Sequence, residues 1–185
     1  AIMVRFPDGG READLRYQGH EQGADTLVVT VDDDKGLRVC LHYRVVPDLD
    51  LIVRWATVTA SVPGVIVESV ASAQFSVPFR GLTLHTVAGH WGAEQQEVVQ
   101  PVSTKVVLES RRGISNQHHS PYAVLSREAT ESAGRVWAAA LAFSGNTKVV
   151  VEQTQYGQTL LQLGINDHDL EITLAPGEPF TTPET

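Results

Sequence analysis

Cysteine is nearly absent: Cys40 is the only one in 185 residues. No intrachain disulfide can form, and this usage points to a reducing, cytoplasmic compartment. No run of about 20 apolar residues occurs, so no helix is expected to span a membrane and no membrane partner is expected. Basic residues are few. Lys and Arg number 14 against 22 Asp and Glu, a formal net charge of -8, which argues against a basic stripe tracking phosphates and against a nucleic-acid partner. No Gly-x-Gly-x-x-Gly or P-loop pattern is present, so nucleotide binding has no support. The chain opens Ala1-Ile2-Met3, with no initiator at position 1, and a trimmed start or tag remnant is expected.

What the chain does have is alternation. Thr26 to Asp32 places Leu27, Val29 and Val31 on one face. Leu37 to Val46 places Leu37, Val39, Leu41, Tyr43 and Val45 inward, with Arg38, Cys40, His42 and Arg44 opposite. Period two over ten residues predicts a half-buried strand, and the polar Asp32-Asp33-Asp34-Lys35-Gly36 between them predicts a hairpin loop. Further strands are expected over 51–61, 65–73, 82–88, 105–110, 135–143, 148–153, 159–165 and 170–174. Turn signals such as Pro47-Asp48, Pro63-Gly64, Ser144-Gly145-Asn146, Tyr156-Gly157 and Asn166-Asp167 separate most of them. The alanine-rich 133–142 alternates Val136, Ala138, Ala140 and Ala142 against Trp137, Ala139, Leu141 and Phe143, which favours a strand over a helix. Many short strands and no sustained 3.6-residue period predict an all-β fold, a two-sheet antiparallel β-sandwich, as one domain over residues 1–185. The closing Pro-Phe-Thr-Thr-Pro-Glu-Thr is turn-rich and is expected to be an unanchored exit into further sequence.

Catalytic chemistry is thin. Retaining glycoside hydrolysis needs two carboxyls about 5 to 5.5 Å apart, but the acidic residues fall in turns (Asp32 to Asp34, Asp48, Asp50, Asp167, Asp169) or scatter along strands (Glu68, Glu109, Glu152). Asp32-x-Asp34-x-Gly36 lacks the third acidic position and the distal glutamate of a calcium loop, so a plain turn is expected. His118 and His119 are neighbours that point to opposite sides of an extended backbone, and no metal site is expected. Ser115 has no glycine-framed elbow and no orienting acid after it. Arg111 and Arg112 face opposite ways if extended; one reading is a bidentate clamp at a domain boundary, the other an ordinary surface ion pair. Trp55 and Trp137 lie mid-strand and are expected in the core. Trp91, between Gly89 and Gly92 and near Glu94, is placed at an interface or a ligand.

Taken in order, His90-Trp91-Gly92-Ala93-Glu94, Ser110-Arg111-Arg112-Gly113-Ile114-Ser115, Ser144-Gly145-Asn146, Gly164-Ile165-Asn166 and Pro176-Gly177-Glu178 through Thr182-Pro183-Glu184 resemble the N-terminal β-sandwich domain of α-galactosidases in glycoside hydrolase family 36. Phe6-Pro7-Asp8-Gly9-Gly10, Asp14-Leu15-Arg16-Tyr17 and Leu41-His42-Tyr43 extend the likeness toward the start. The stretch Ser115-Asn116-Gln117-His118-His119-Ser120-Pro121-Tyr122 is similar to a family run, with Gln117, Ser120 and Tyr122 departing from it. The segment between Tyr17 and Thr26 is shorter than the family's.

The resemblance implies a galactose-mutarotase-like supersandwich that precedes a (β/α)8 catalytic barrel, so no catalytic residue and no cofactor or metal would lie in this chain. It implies retaining hydrolysis of terminal α-galactosyl residues by the intact protein and inactivity of the domain alone. Its partners would be the C-terminal barrel of the same protein, further copies in a homo-oligomer (a tetramer in several members) and a galacto-oligosaccharide. Trp91, Glu94, Arg111, Arg112, His119 and Asn146 become substrate-binding or domain-interface candidates. Two other readings stand beside it. One is a free-standing carbohydrate-binding module using Trp91. The other is a mutarotase-type epimerase, which would need a histidine and a carboxylate poised on one face.

Overall fold

A computed structural model describes residues 1–115 and 117–185; Asn116, within the motif from Ser115 to Tyr122, lies outside the described residues. The chain is all-β, of the antiparallel β-sandwich class. Fifteen strands are formed by the described residues: β1 (Ile2–Arg5), β2 (Arg16–Gln22), β3 (Thr26–Asp32), β4 (Leu37–Val46), β5 (Leu51–Ala60), β6 (Val65–Val77), β7 (Thr83–His90), β8 (Ala93–Pro101), β9 (Lys105–Glu109), β10 (Tyr122–Arg127), β11 (Arg135–Ala140), β12 (Thr147–Gln153), β13 (Thr159–Ile165), β14 (Ile172–Leu174) and β15 (Phe180–Thr181). A 3-10 turn at Pro47–Leu49 joins β4 to β5. The contacts divide the chain into two compact units, residues 1–73 with 167–185, and residues 74–166.

The first unit contains a five-stranded antiparallel sheet of order β15-β5-β4-β3-β2, together with β1 and β14 paired to β6. The predicted stripes of β3 and β4 fall opposite one another, with Val31 across from Val39, Val29 from Leu41 and Leu27 from Tyr43. The Asp33 carboxylate accepts from the backbone N–H groups of Lys35 and Leu37 at 3.1 and 2.9 Å. With Gly36 at φ +89°, this is the plain hairpin turn expected at Asp32–Gly36. Leu37, Val39, Ala56, Val58 and Ala60 are buried, as are Val4, Val65, Val67 and Leu174.

Three expectations fail in this unit. Val45 is 45% exposed, because the β4–β5 hairpin runs on past the buried residues. Trp55 is half-buried and not core: it shares a strand face with Thr57 and Thr59, opposite the buried Ala56 and Val58, and stacks on His42 at 4.9 Å and 1° between planes. The closing run is anchored. β15 pairs with β5, the Thr182 N–H donates to the Ala56 carbonyl at 2.9 Å, and Thr185 and Arg54 exchange two backbone hydrogen bonds at 2.8 and 2.9 Å. The open edge of β5 takes up these donors and acceptors, which turn-rich composition alone does not disclose.

The second unit contains a four-stranded antiparallel sheet of order β11-β10-β7-β8 and the neighbouring strands β13-β12-β9. Its core joins Leu82, Leu84, Ala123 and Leu125 to Leu108, Val149, Val151, Leu161 and Leu163, with Phe79, Trp137 and Ala139 packed against them. Trp137 lies on the core side of β11 and meets Phe79 at 5.5 Å, as expected, while Val136, Ala138 and Ala140 face out.

Candidate functional site

The motif residues collect at one end of the second unit, where backbone hydrogen bonds tie its loops together. β9 ends at Glu109, and Ser110 donates its N–H to the Thr147 carbonyl at 2.9 Å. The loop then turns back. Gly113 N–H donates to Asn146 Oδ1 at 2.6 Å, Ser115 N–H donates to the Ser144 carbonyl at 2.8 Å, and Ser110 Oγ donates to the Ile114 carbonyl. Asn166, at the end of β13, is buried; its N–H donates to the Asn146 carbonyl at 2.9 Å, and its amide donates to Ser110 O at 3.0 Å and Glu109 Oε2 at 3.2 Å. Three sequence motifs, joined by bonds that span 33 and 56 residues of chain, thus form one knot, because an asparagine side chain can serve backbone donors and acceptors that a strand ladder leaves over.

Trp91 and Gly92 form the tip of the β7–β8 hairpin, where His90 faces Ala93. Glu94 turns back on that tip, its Oε1 accepting the Gly92 N–H at 2.9 Å. A Cβ on Gly89 would stand 2.4 Å from the Ala93 carbonyl oxygen, so the two strands approach as closely as they do only with glycine there. Trp91 is 86% exposed. Ser120 N–H donates to the Val87 carbonyl at 3.0 Å, bringing Ser120 alongside β7. Glu94, Gln95, Ser115, Gln117, Ser120 and Pro121 line a cleft of about 410 Å³.

Arg111 and Arg112 are both exposed and follow the end of β9, so neither reaches a core. Arg111 pairs with Glu109 at 2.8 Å. His119 is exposed on the same loop. The structure therefore joins Asn146 to the arginine-bearing loop and puts Glu94 beside Ser115 and Gln117. Trp91, Arg112 and His119 present their side chains to solvent. Glu109 and Asn166 were missed as members of this end: the sequence showed a lone strand carboxylate and a turn asparagine, and only the β9-β12-β13 order brings them together. Glu94 holds a turn and Glu109 is held by Arg111 and Asn166, so both carboxylates serve as hydrogen-bond acceptors. Among the described residues no group of three or more metal-ligating side chains forms.

The sequence profile of the glycosyl hydrolase family 36 N-terminal domain matches residues 1–175. The chain belongs to this family. Among its relatives, alpha-galactosidase C of Emericella nidulans is 31% identical over 206 residues, and alpha-galactosidase AgaA of Geobacillus stearothermophilus 33% over 208; each match takes in 100% of this chain and 28% of the relative. The crystal structure of AgaA superposes on the whole chain with a TM-score of 0.94 at 28% identity, covering 29% of that enzyme. The galactosidase domain of an alpha-galactosidase-sucrose kinase, AgaSK, gives 0.93 at 27% identity, again over 29% of that chain. The family 36 chain described here thus spans about 28% of the length of these relatives, and it is their N-terminal domain that it corresponds to.

Proposed function

We propose that the chain is the non-catalytic N-terminal domain of an enzyme that removes terminal α-galactosyl residues from oligosaccharides with retention of configuration. The observation that carries this is the coverage: all of this chain matches 28% of each alpha-galactosidase. The remaining part of such an enzyme, a (β/α)8 barrel, would supply the carboxylate pair that retaining hydrolysis needs; this domain would pack against that barrel, contribute contacts within a homo-oligomer and bear on which oligosaccharides are accepted. The knotted loop end fits such a role. Its backbone is tied internally, so Trp91, Arg112 and His119 are offered outward on a fixed frame to a neighbouring domain, a second copy or a galacto-oligosaccharide. Cys40 as the sole cysteine supports a cytoplasmic setting.

The test is made on the native product and on this chain in parallel. An antibody raised to the chain should detect a species well above 20.1 kDa, larger by at least about 28 kDa for a barrel of about 250 residues. That species should release galactose from melibiose and raffinose, and the 185-residue chain should release none. A native band at the mass of this chain, or a large species inert on α-galactosides, would overturn the proposal.

A further inference from the structure

The outer face of the four-stranded sheet carries a second constellation, and we infer that it is a saccharide-binding groove. Strand register assembles it. His85 on β7 faces Val124 on β10, Glu97 on β8 faces Val87, and Ser126 on β10 faces Val136 on β11. His85 Nδ1 lies 2.9 Å from Glu97 Oε1, and His85 Nε2 lies 2.9 Å from Ser126 Oγ. With neutral imidazole the carboxylate fixes the proton on Nδ1, leaving Nε2 to accept the Ser126 hydroxyl proton. These three residues stand on the wall of a groove of about 610 Å³, which Tyr122, Val124 and Val136 also line.

A serine, a histidine and an acid in this order invite an acyl-transfer reading, but the backbone excludes it. Ser126 lies within β10, which is paired on both edges, by β7 and β11, so its neighbourhood has no strained elbow and no free pair of N–H groups to hold an oxyanion. Ser126 is also only 6% exposed. The relay therefore orients groups for binding.

The groove's polar complement decides what it binds. Glu97 and Glu131 are acceptors, Tyr122 offers a hydroxyl that both donates and accepts, and no lysine or arginine lines the walls; both ring nitrogens of His85 are engaged by Glu97 and Ser126, and the Thr130 hydroxyl by the Ala133 backbone. A cationic ligand could use the carboxylates but would leave the Tyr122 hydroxyl proton without an acceptor. A ring of hydroxyls donates and accepts at every position, and its C–H face can lie on Val87, Val124 and Val136. Apolar walls with a few convergent polar groups in a cavity of about 300–1,000 Å³ are the form ligand sites take. A neutral mono- or disaccharide meets both requirements. The groove shares no lining residue with the cleft beside Glu94, and the inference does not rest on the hydrolase reading.

The test is a titration of the isotopically labelled 185-residue chain with galactose, melibiose and raffinose, followed by amide chemical shifts. Saturable shifts centred on His85, Glu97, Val124 and Ser126 are expected, with millimolar affinity. Val136→Arg, an exposed change that blocks the groove while keeping all three relay residues, should weaken binding at least tenfold, and Glu97→Gln about tenfold. Trp91→Ala should leave the affinity unchanged. Absence of saturable shifts would overturn the inference, as would shifts centred on the Trp91 hairpin or unaltered binding by Val136→Arg. Saturation by arginine amide and by none of the sugars would assign the groove to a cationic side chain and overturn it too.

Discussion

Asn146 Oδ1 accepts the backbone N–H of Gly113 at 2.6 Å, and this one bond joins two loops that lie 33 residues apart in sequence. The acceptor matters more than the side chain's shape. Asn146→Ala should cost about 1 kcal/mol, the usual worth of one such bond, and lower Tm by roughly 2–4 °C for a chain of this size. Amide exchange at Gly113 should accelerate by more than at any strand position, whereas Asn146→Asp, which keeps the oxygen, should hold exchange near the parent rate. Unchanged Gly113 exchange in the alanine variant would mean that the loop is fixed by Ser110 and Ser115 alone.

The strands that sequence reading located are those whose faces differ. β3, β4 and β13 begin and end where alternation predicted, because one side of each is apolar and the other is not. β2 and β8 went unseen for the complementary reason: Arg16–Gln22 and Ala93–Pro101 are exposed along nearly their whole length and are held by backbone pairing to β3 and β7, which leaves no period in the side chains. β15 is two residues long, shorter than any pattern can register. At the candidate site, the order of motifs was legible but the partnerships were not. Glu109 meets Asn166 across 57 residues and His85 meets Ser126 across 41, and both depend on strand order, which local sequence does not encode.

Glu68 on β6 is the hub of an ion-pair group. Its Oε1 receives Arg5 Nε at 3.0 Å and Arg11 at 3.1 Å, while Arg5 also reaches Glu171; the Glu68 side chain is 16% exposed. Its contribution should fall between that of a solvated surface pair, about 0–1 kcal/mol, and the 3–5 kcal/mol lost on breaking a fully buried one. Glu68→Gln should therefore destabilise by about 1–2 kcal/mol, read as a lower denaturant midpoint with an unchanged slope. High salt should narrow the difference between parent and variant, since the arginines remain partly solvated.

His42 contributes to the pH dependence of the first unit. Burial against Trp55 pushes its pKa below the ordinary 6.5, with Nε2 at 3.0 Å from Thr57 Oγ1. The folded state therefore prefers neutral imidazole, and the unfolded chain takes up the proton more readily. Its contribution is full above 6.5 and is lost as pH falls through the lowered value in the folded state. The denaturant midpoint should drop on acidification below 6.5, and His42→Asn should flatten that part of the profile. A variant profile parallel to the parent's would place the acid sensitivity elsewhere.

Trp91 separates stability from association. Its side chain is 86% exposed at a hairpin tip whose turn is held by Glu94 and Gly92 and not by the indole. Trp91→Ala should therefore leave the folding free energy within about 0.5 kcal/mol of the parent. In the same unit Ile114 is 57% exposed and Phe143 38%, so large apolar side chains are available for association. If the chain self-associates there, removing the central aromatic should weaken association by at least about 2 kcal/mol, close to thirtyfold in the dissociation constant. Sedimentation velocity at matched concentrations checks this beside a melting curve. A lower weight-average mass with an unaltered melt assigns Trp91 to the interface; an unaltered mass with an unaltered melt removes it from self-association.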